Sequence, residues 1–284
     1  SQTITGNSVV IKQAVSGTGS YSGTILYVWA NFATNAFTIS SANISSNNFL
    51  TTGGTIRTSG TTYGVYHDYT YSNSMTLNNN TFNIDKTGAG SVNVFFSGTS
   101  GASPLINITN CNVNITGTAT AGQVIVFREN DGIGGNATQK NINNNIVNVN
   151  LPADATTCFA FLSDFAGGSF SNNQITYVTA GSIQLTNLAA NVGTFGATGG
   201  SFNISNNTIS LTSSLVSGVL NGLICALPFE GSYTINNNTF TTLSLSAAGA
   251  SAPGIACISV AGGANNIISG NKIQGSSTGA GTGS

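Results

Sequence analysis

Few residues in this chain could do chemistry. Its 284 residues include six Lys and Arg, seven Asp and Glu, and one His. Four of the acids occupy one kind of place. Apolar, strand-like runs end in Val65-Tyr-His-Asp68, Val126-Phe-Arg-Glu129, Phe161-Leu-Ser-Asp164 and Leu227-Pro-Phe-Glu230, each with an acid at the same offset. Asp131 follows two residues after Glu129, and Arg128 stands beside it. Carboxylates in a file along one edge could engage a sugar. They could also supply part of the roughly six to eight oxygens that calcium takes. Asp68, Glu129, Asp131, Asp164 and Glu230 are therefore the ligand or calcium candidates. The plainer alternative is that strand ends meet solvent, where acids are tolerated, and that Arg128 forms a surface ion pair of little worth.

No catalytic set stands out. There is no Asp-Asp pair and no Gly-His-Gly, and His67 reads as a turn residue. Cys111, Cys158, Cys225 and Cys257 fit no zinc spacing. A chain of this length builds a core without disulfide staples, so they read as small buried apolar residues. Cys225 and Cys257 are 32 residues apart, a spacing that would let them stack on one another in a repeat.

Composition narrows the class. Charged residues make up 5% of the chain, so no basic surface exists to neutralise phosphates, and a nucleic-acid partner is excluded. The longest apolar stretch, residues 216–227, is broken by Ser217, Gly218, Asn221 and Gly222, so no membrane-spanning helix is expected. The opening residues, Ser1 to Gly6, show no basic or apolar leader. The wealth of Asn, Ser, Thr and Gly suits a secreted or cell-surface protein.

The elements that would hold these residues are set by a repeat. Apolar, two small polar residues, Asn, any residue, apolar: this pattern occurs nine times. Its Asn positions are Asn7, Asn47, Asn80, Asn145, Asn173, Asn207, Asn238 and Asn271, with Cys111 in the remaining copy. From Ile44 onward the copies recur every 28 to 34 residues. Apolar residues alternate past each motif, as in Phe82-Asn-Ile84 and Val147-Asn-Val149, which is the period of a strand. The motif Asn shares their parity and should point inward with them. The residue before it is always Gly, Ser or Asn, and Asn and Gly tolerate positive φ, so each motif reads as a tight corner followed by a strand. A second apolar run, such as Val92–Phe96 or Val124–Phe127, precedes each corner, and a short third strand is expected.

A unit of this size cannot bury its own apolar face, whereas stacked units can. Parallel pairing at about 4.8 Å per coil would place each inward Asn above the next and form an amide ladder. The expected fold is all-β: a right-handed parallel β-helix of about nine coils, one domain over residues 1–284. Neither end shows a capping helix, so the chain is expected to be a section of a longer one or to have its ends covered by a partner.

The Asn corner, the inward alternation and the variable loops resemble the parallel β-helix repeats of the pectate-lyase-like superfamily, over residues 4 to 273. The Asn/Ser/Thr/Gly-rich style is most similar to bacterial secreted surface adhesins. The resemblance implies a non-enzymatic secreted or cell-surface stalk or adhesive module with a glycan or cell-surface partner. Its enzymes imply an alternative, a polysaccharide lyase or glycoside hydrolase, the former using calcium with clustered carboxylates. Tyr63, Tyr66, Tyr69 and Tyr71 cluster in one repeat, where exposed rings would suit sugar stacking or would equally serve to cover the first coil.

Overall fold

The computed structural model describes residues 2–10, 23–28, 41–50, 60–67, 74–97, 105–119, 121–129, 139–152, 158–163, 167–181, 183–188, 201–214, 219–226, 232–245, 254–261 and 265–277. These residues form a parallel β-solenoid of three sheets. Sheet A stacks nine strands, from Gln2–Thr5 to Ile267–Ser269. Sheet B runs from Ser8–Val10 to Lys272–Ile273, with Ser276–Ser277 beside its penultimate rung. Sheet C stacks eight strands, from Gly23–Val28 to Gly254–Ala261. The chain visits A, B and C in turn, so every strand pairs with its equivalent in the neighbouring coil. No helix occurs among the described residues, and so none is long and apolar enough to cross a membrane.

The motif Asn occupies the corner between sheets A and B. All nine residues that precede it adopt positive φ, from 54° at Asn79 and Asn237 to 70° at Gly6. That left-handed residue turns the chain sharply and sends the next side chain inward. The core files follow from the alternation. Ile44, Leu77, Ile108, Ile142, Phe170, Ile204 and Ile235 stack from sheet A. Phe49, Phe82, Val113, Val147, Ile175, Ile209 and Phe240 stack from sheet B. All fourteen side chains are buried. Phe49 and Phe82 stack face to face with ring centres 4.7 Å apart.

The ladder pairs its buried amides rung by rung. Asn173 Oδ1 accepts from both the backbone N–H and the Nδ2 of Asn145, each at 3.0 Å. Asn173 Nδ2 donates to Asn207 Oδ1 at 3.0 Å and to the Ile142 carbonyl at 2.9 Å. The same scheme joins Asn7, Asn47 and Asn80, and then Asn145 through Asn271. Asn47, Asn80, Asn173, Asn207 and Asn238 thus each spend two side-chain donors and two acceptor sites in the ladder, where an unsatisfied group would cost roughly 1–3 kcal/mol.

Cys111 interrupts this order. It is buried and reduced, and its backbone N–H still reaches Asn145 Oδ1 at 2.9 Å. Its thiol, however, points to the Leu77 and Thr109 carbonyls at 3.6 and 3.5 Å. Asn145 Oδ1 therefore loses the side-chain donor that its equivalents receive. Asn80 Nδ2 turns to the Asn78 carbonyl at 3.1 Å. Burial pushes the Cys111 thiol up to about 11, so it is an inert thiol. The other proposed cysteine stack does not form. Cys225 pairs with Val260, three residues beyond Cys257, because the sheet C register rather than the sequence interval decides which residues meet.

Two lysines hold inward positions. Lys86 and Lys140 are 0% and 1% exposed. Lys86 Nζ donates to the Ala121 carbonyl at 2.5 Å and the Gly88 carbonyl at 3.1 Å, which supplies the polar partners a buried ammonium requires. Each lysine pairs in the next coil with a glycine at unusual φ, Gly117 at 142° and Gly168 at 133°. A Cβ on Gly117 would lie 1.9 Å from the Lys86 carbonyl oxygen, so only glycine fits there.

Candidate binding strip on sheet C

Tyr63 and Tyr66 come from the sheet C strand Thr62–His67, Phe96 from Val92–Ser97, and Arg128 from Val124–Glu129. Tyr66 pairs with Phe96, and Phe96 with Arg128, so they stand one above another on successive rungs. Val65, Val92, Phe95 and Phe127 on the same strands are buried in the core, while the four strip residues are half-buried. The strand positions that do not enter the core thus present rings instead of the amides and hydroxyls of sheets A and B.

The three rings form one cluster. Tyr63 meets Tyr66 edge to face at 4.9 Å, and Phe96 lies 5.2 Å from Tyr63 and 5.0 Å from Tyr66. Such pairs are worth about 0.5–1.5 kcal/mol each beyond their burial. The Arg128 guanidinium caps the stack, its central carbon 5.3 Å from the Phe96 ring centre, within cation–π range. Arg128 Nε is buried and makes no hydrogen bond. Beneath it a small cavity opens between sheets A and C, lined by Phe95, Ile106, Ile108, Phe127, Arg128, Lys140 and Ile142. An aromatic platform ending in a guanidinium can stack on the apolar face of a pyranose and donate hydrogen bonds to its oxygens.

The acidic candidates fall differently. Asp68, Asp131, Asp164 and Glu230 lie outside the described residues, as do Tyr69 and Tyr71. Glu129 ends its strand, and its backbone pairs with Ser97, which also pairs with His67. Glu129 is therefore level with His67, one residue short of the level of Asp68. The shift arises because Val65 shares its file with Phe95 and Phe127, not with Val126. Arg128 pairs with Leu162, so the strands leading to Glu129 and Asp164 are neighbours, as their successive coils require. Among the described residues, no three His, Cys, Asp or Glu side chains converge to hold a metal ion.

Sequence reasoning marked Tyr63 and Tyr66 but missed Phe96 and Arg128 as their neighbours. Strand alternation gave no signal for Phe96, because Val94 and Phe95, adjacent in sequence, are both buried in the core. No protein-family model, curated protein or solved structure matches this chain.

Proposed function

We propose that the chain is a non-enzymatic β-solenoid of the extracellular or cell surface, a stalk or adhesive module that contacts carbohydrate through Tyr63, Tyr66, Phe96 and Arg128. One observation carries this reading. The strip is a ring cluster with a guanidinium at its end, set on a rigid parallel sheet. The ladder behind it fixes the rung spacing, so the rings are held in place before any ligand arrives, which reduces the ordering cost of binding.

The test is a glycan array probed with the labelled chain and with Tyr66→Ala and Arg128→Ala. The expected result is retention of pyranose polysaccharides by the parent chain and at least tenfold weaker retention by both variants, with unchanged circular dichroism. An array that retains no glycan, or retains the variants equally, would overturn the reading. A reducing-end assay on the same glycans addresses the non-enzymatic part: release of new reducing ends would assign the chain to the polysaccharide-active alternative.

A further inference from the structure

Arg128 and Lys140 meet at the wall of the cavity between sheets A and C. Lys140 stands on the sheet A strand Gln139–Asn143, between Ile106 and Gly168 in register, and its side chain is 1% exposed. Arg128 stands on the sheet C strand Val124–Glu129. Phe95, Ile106, Ile108, Phe127 and Ile142 complete the lining, and no carboxylate of a described residue joins it. Two cationic side chains therefore border a space whose other walls are hydrocarbon. In such surroundings water screens a charge poorly, so an opposite charge in the cavity would be attracted far more strongly than at the open surface.

Hydrogen bonding narrows the occupant. Arg128 Nε is buried and its N–H has no acceptor, which is costly for a donor on a charged group. The contact with Phe96 anchors the guanidinium by its face and uses none of its donors. Lys140 has a partner of its own, so the open donor at the wall is Arg128 Nε. A guanidinium and an ammonium donate but cannot accept, and hydrocarbon does neither. A water molecule in the cavity could accept from Arg128, but its own hydrogens would meet no side-chain acceptor. Buried waters ordinarily make roughly two to four hydrogen bonds. An acceptor that carries negative charge and no hydrogens suits every wall.

Size narrows it further. The cavity has room for an occupant about as large as one water molecule. Sulfate, phosphate and the carboxylate of a sugar acid are too large to enter. Chloride and bromide are single atoms of suitable size. They are also weakly hydrated, so hydrocarbon walls penalise them less than they would a small, strongly hydrated anion such as fluoride.

We propose that this cavity binds a single halide ion, chloride under ordinary conditions. The ion accepts from Arg128 Nε and balances the positive charge that Arg128 and Lys140 bring to the wall. It links sheet C to sheet A at this coil. It also completes the seat of the guanidinium that ends the ring strip, so Arg128 is held by Phe96 on its face and by the ion at its Nε edge.

Thermal unfolding in chloride, with gluconate holding the ionic strength constant, tests this. No glycan is present, so the result is independent of the carbohydrate contact. Tm should rise by several degrees from submillimolar to several hundred millimolar chloride, following the logarithm of concentration once the site fills. Bromide should act alike. Arg128→Met keeps an apolar stem but removes the charge and Nε, and should lose the dependence. Chloride NMR line broadening reads binding on the parent chain itself, which covers the case in which Arg128→Met fails to fold. The folded chain should broaden the line, bromide should reverse the broadening, and sulfate at equal ionic strength should not. A Tm indifferent to chloride, a dependence retained in Arg128→Met, or an unbroadened line would each overturn the proposal. So would broadening that sulfate reverses as readily as bromide.

Discussion

At the corner between sheets A and B, nearly every rung repeats the same residue types. On sheet C one register position changes at every rung: Tyr66, Phe96, Arg128, Leu162, Asn187 and Ile224 succeed one another there. The difference follows from what each place must satisfy. A buried amide in the ladder is completed by an identical amide above and below, so a change at one rung disturbs two others. A half-buried position on sheet C has solvent on one side and imposes no such condition. Its residues are free to serve contact with something else, and the ring strip lies there.

The largest effect should come from breaking the ladder at its middle. Asn173→Ala leaves the Asn145 donors and the Ile142 carbonyl without partners. At roughly 1–3 kcal/mol for each orphaned group, the loss is several kcal/mol, measurable by urea unfolding. Gly117→Ala should follow at roughly 3 kcal/mol, because its Cβ would meet the Lys86 carbonyl at 1.9 Å. Gly6→Ala is the control: nothing lies within 4 Å, and only the left-handed backbone resists, at about 1–2 kcal/mol.

Tyr66→Ala should sharpen the contrast from the other side. It loses two ring pairs on a half-buried face, about 1–2 kcal/mol, while glycan retention falls at least tenfold. A ladder variant that still folds should show the reverse, with reduced stability and unchanged retention. If Asn173→Ala and Tyr66→Ala lowered both quantities in equal proportion, the division between scaffold and contact face would fail.

The smallest effect should be a gain. Cys111→Asn restores the missing Asn145 donor and the Asn80 acceptor, and should be neutral or stabilising by about 1 kcal/mol near pH 7. Its pH dependence is more informative. The thiol ionises at about 11 in the folded chain, against an ordinary 9.0. Its contribution to stability is therefore whole below about pH 9 and is lost as pH rises towards 11. The slope is about 1.4 kcal/mol per pH unit for one group. The advantage of Cys111→Asn over the parent chain should grow across that window. A constant difference from pH 8 to 11 would show that the thiol is not buried as described.

What the sequence disclosed divides along the same line. The corners could be read residue by residue, because positive φ restricts the choice to Gly, Asn and an occasional Ser, and all nine corners follow. The inward parity of Phe82, Ile84 and their equivalents was equally plain. That parity also pointed at Lys86 and Lys140, but a lysine at an inward position reads as an outward one unless the glycine one coil later is weighed with it. Sheet C was harder to align. Its runs share apolar character without a fixed marker, so Val65 was set against Val126 although it shares a file with Phe127. The strip was half visible: Tyr63 and Tyr66 are near in sequence, but Phe96 and Arg128 join them only through a register that sequence spacing did not determine.

Chemical-shift mapping tests the central claim most directly, namely that sheet C makes the contact while the ladder holds it in place. The isotopically labelled chain would be titrated with the best polysaccharide from the array. The account predicts perturbations confined to the amides of residues 62–67, 92–97 and 124–129, with the Asn side-chain amides of the ladder unmoved. Perturbations centred on the outer faces of sheets A and B, with residues 62–67 and 92–97 silent, would contradict it.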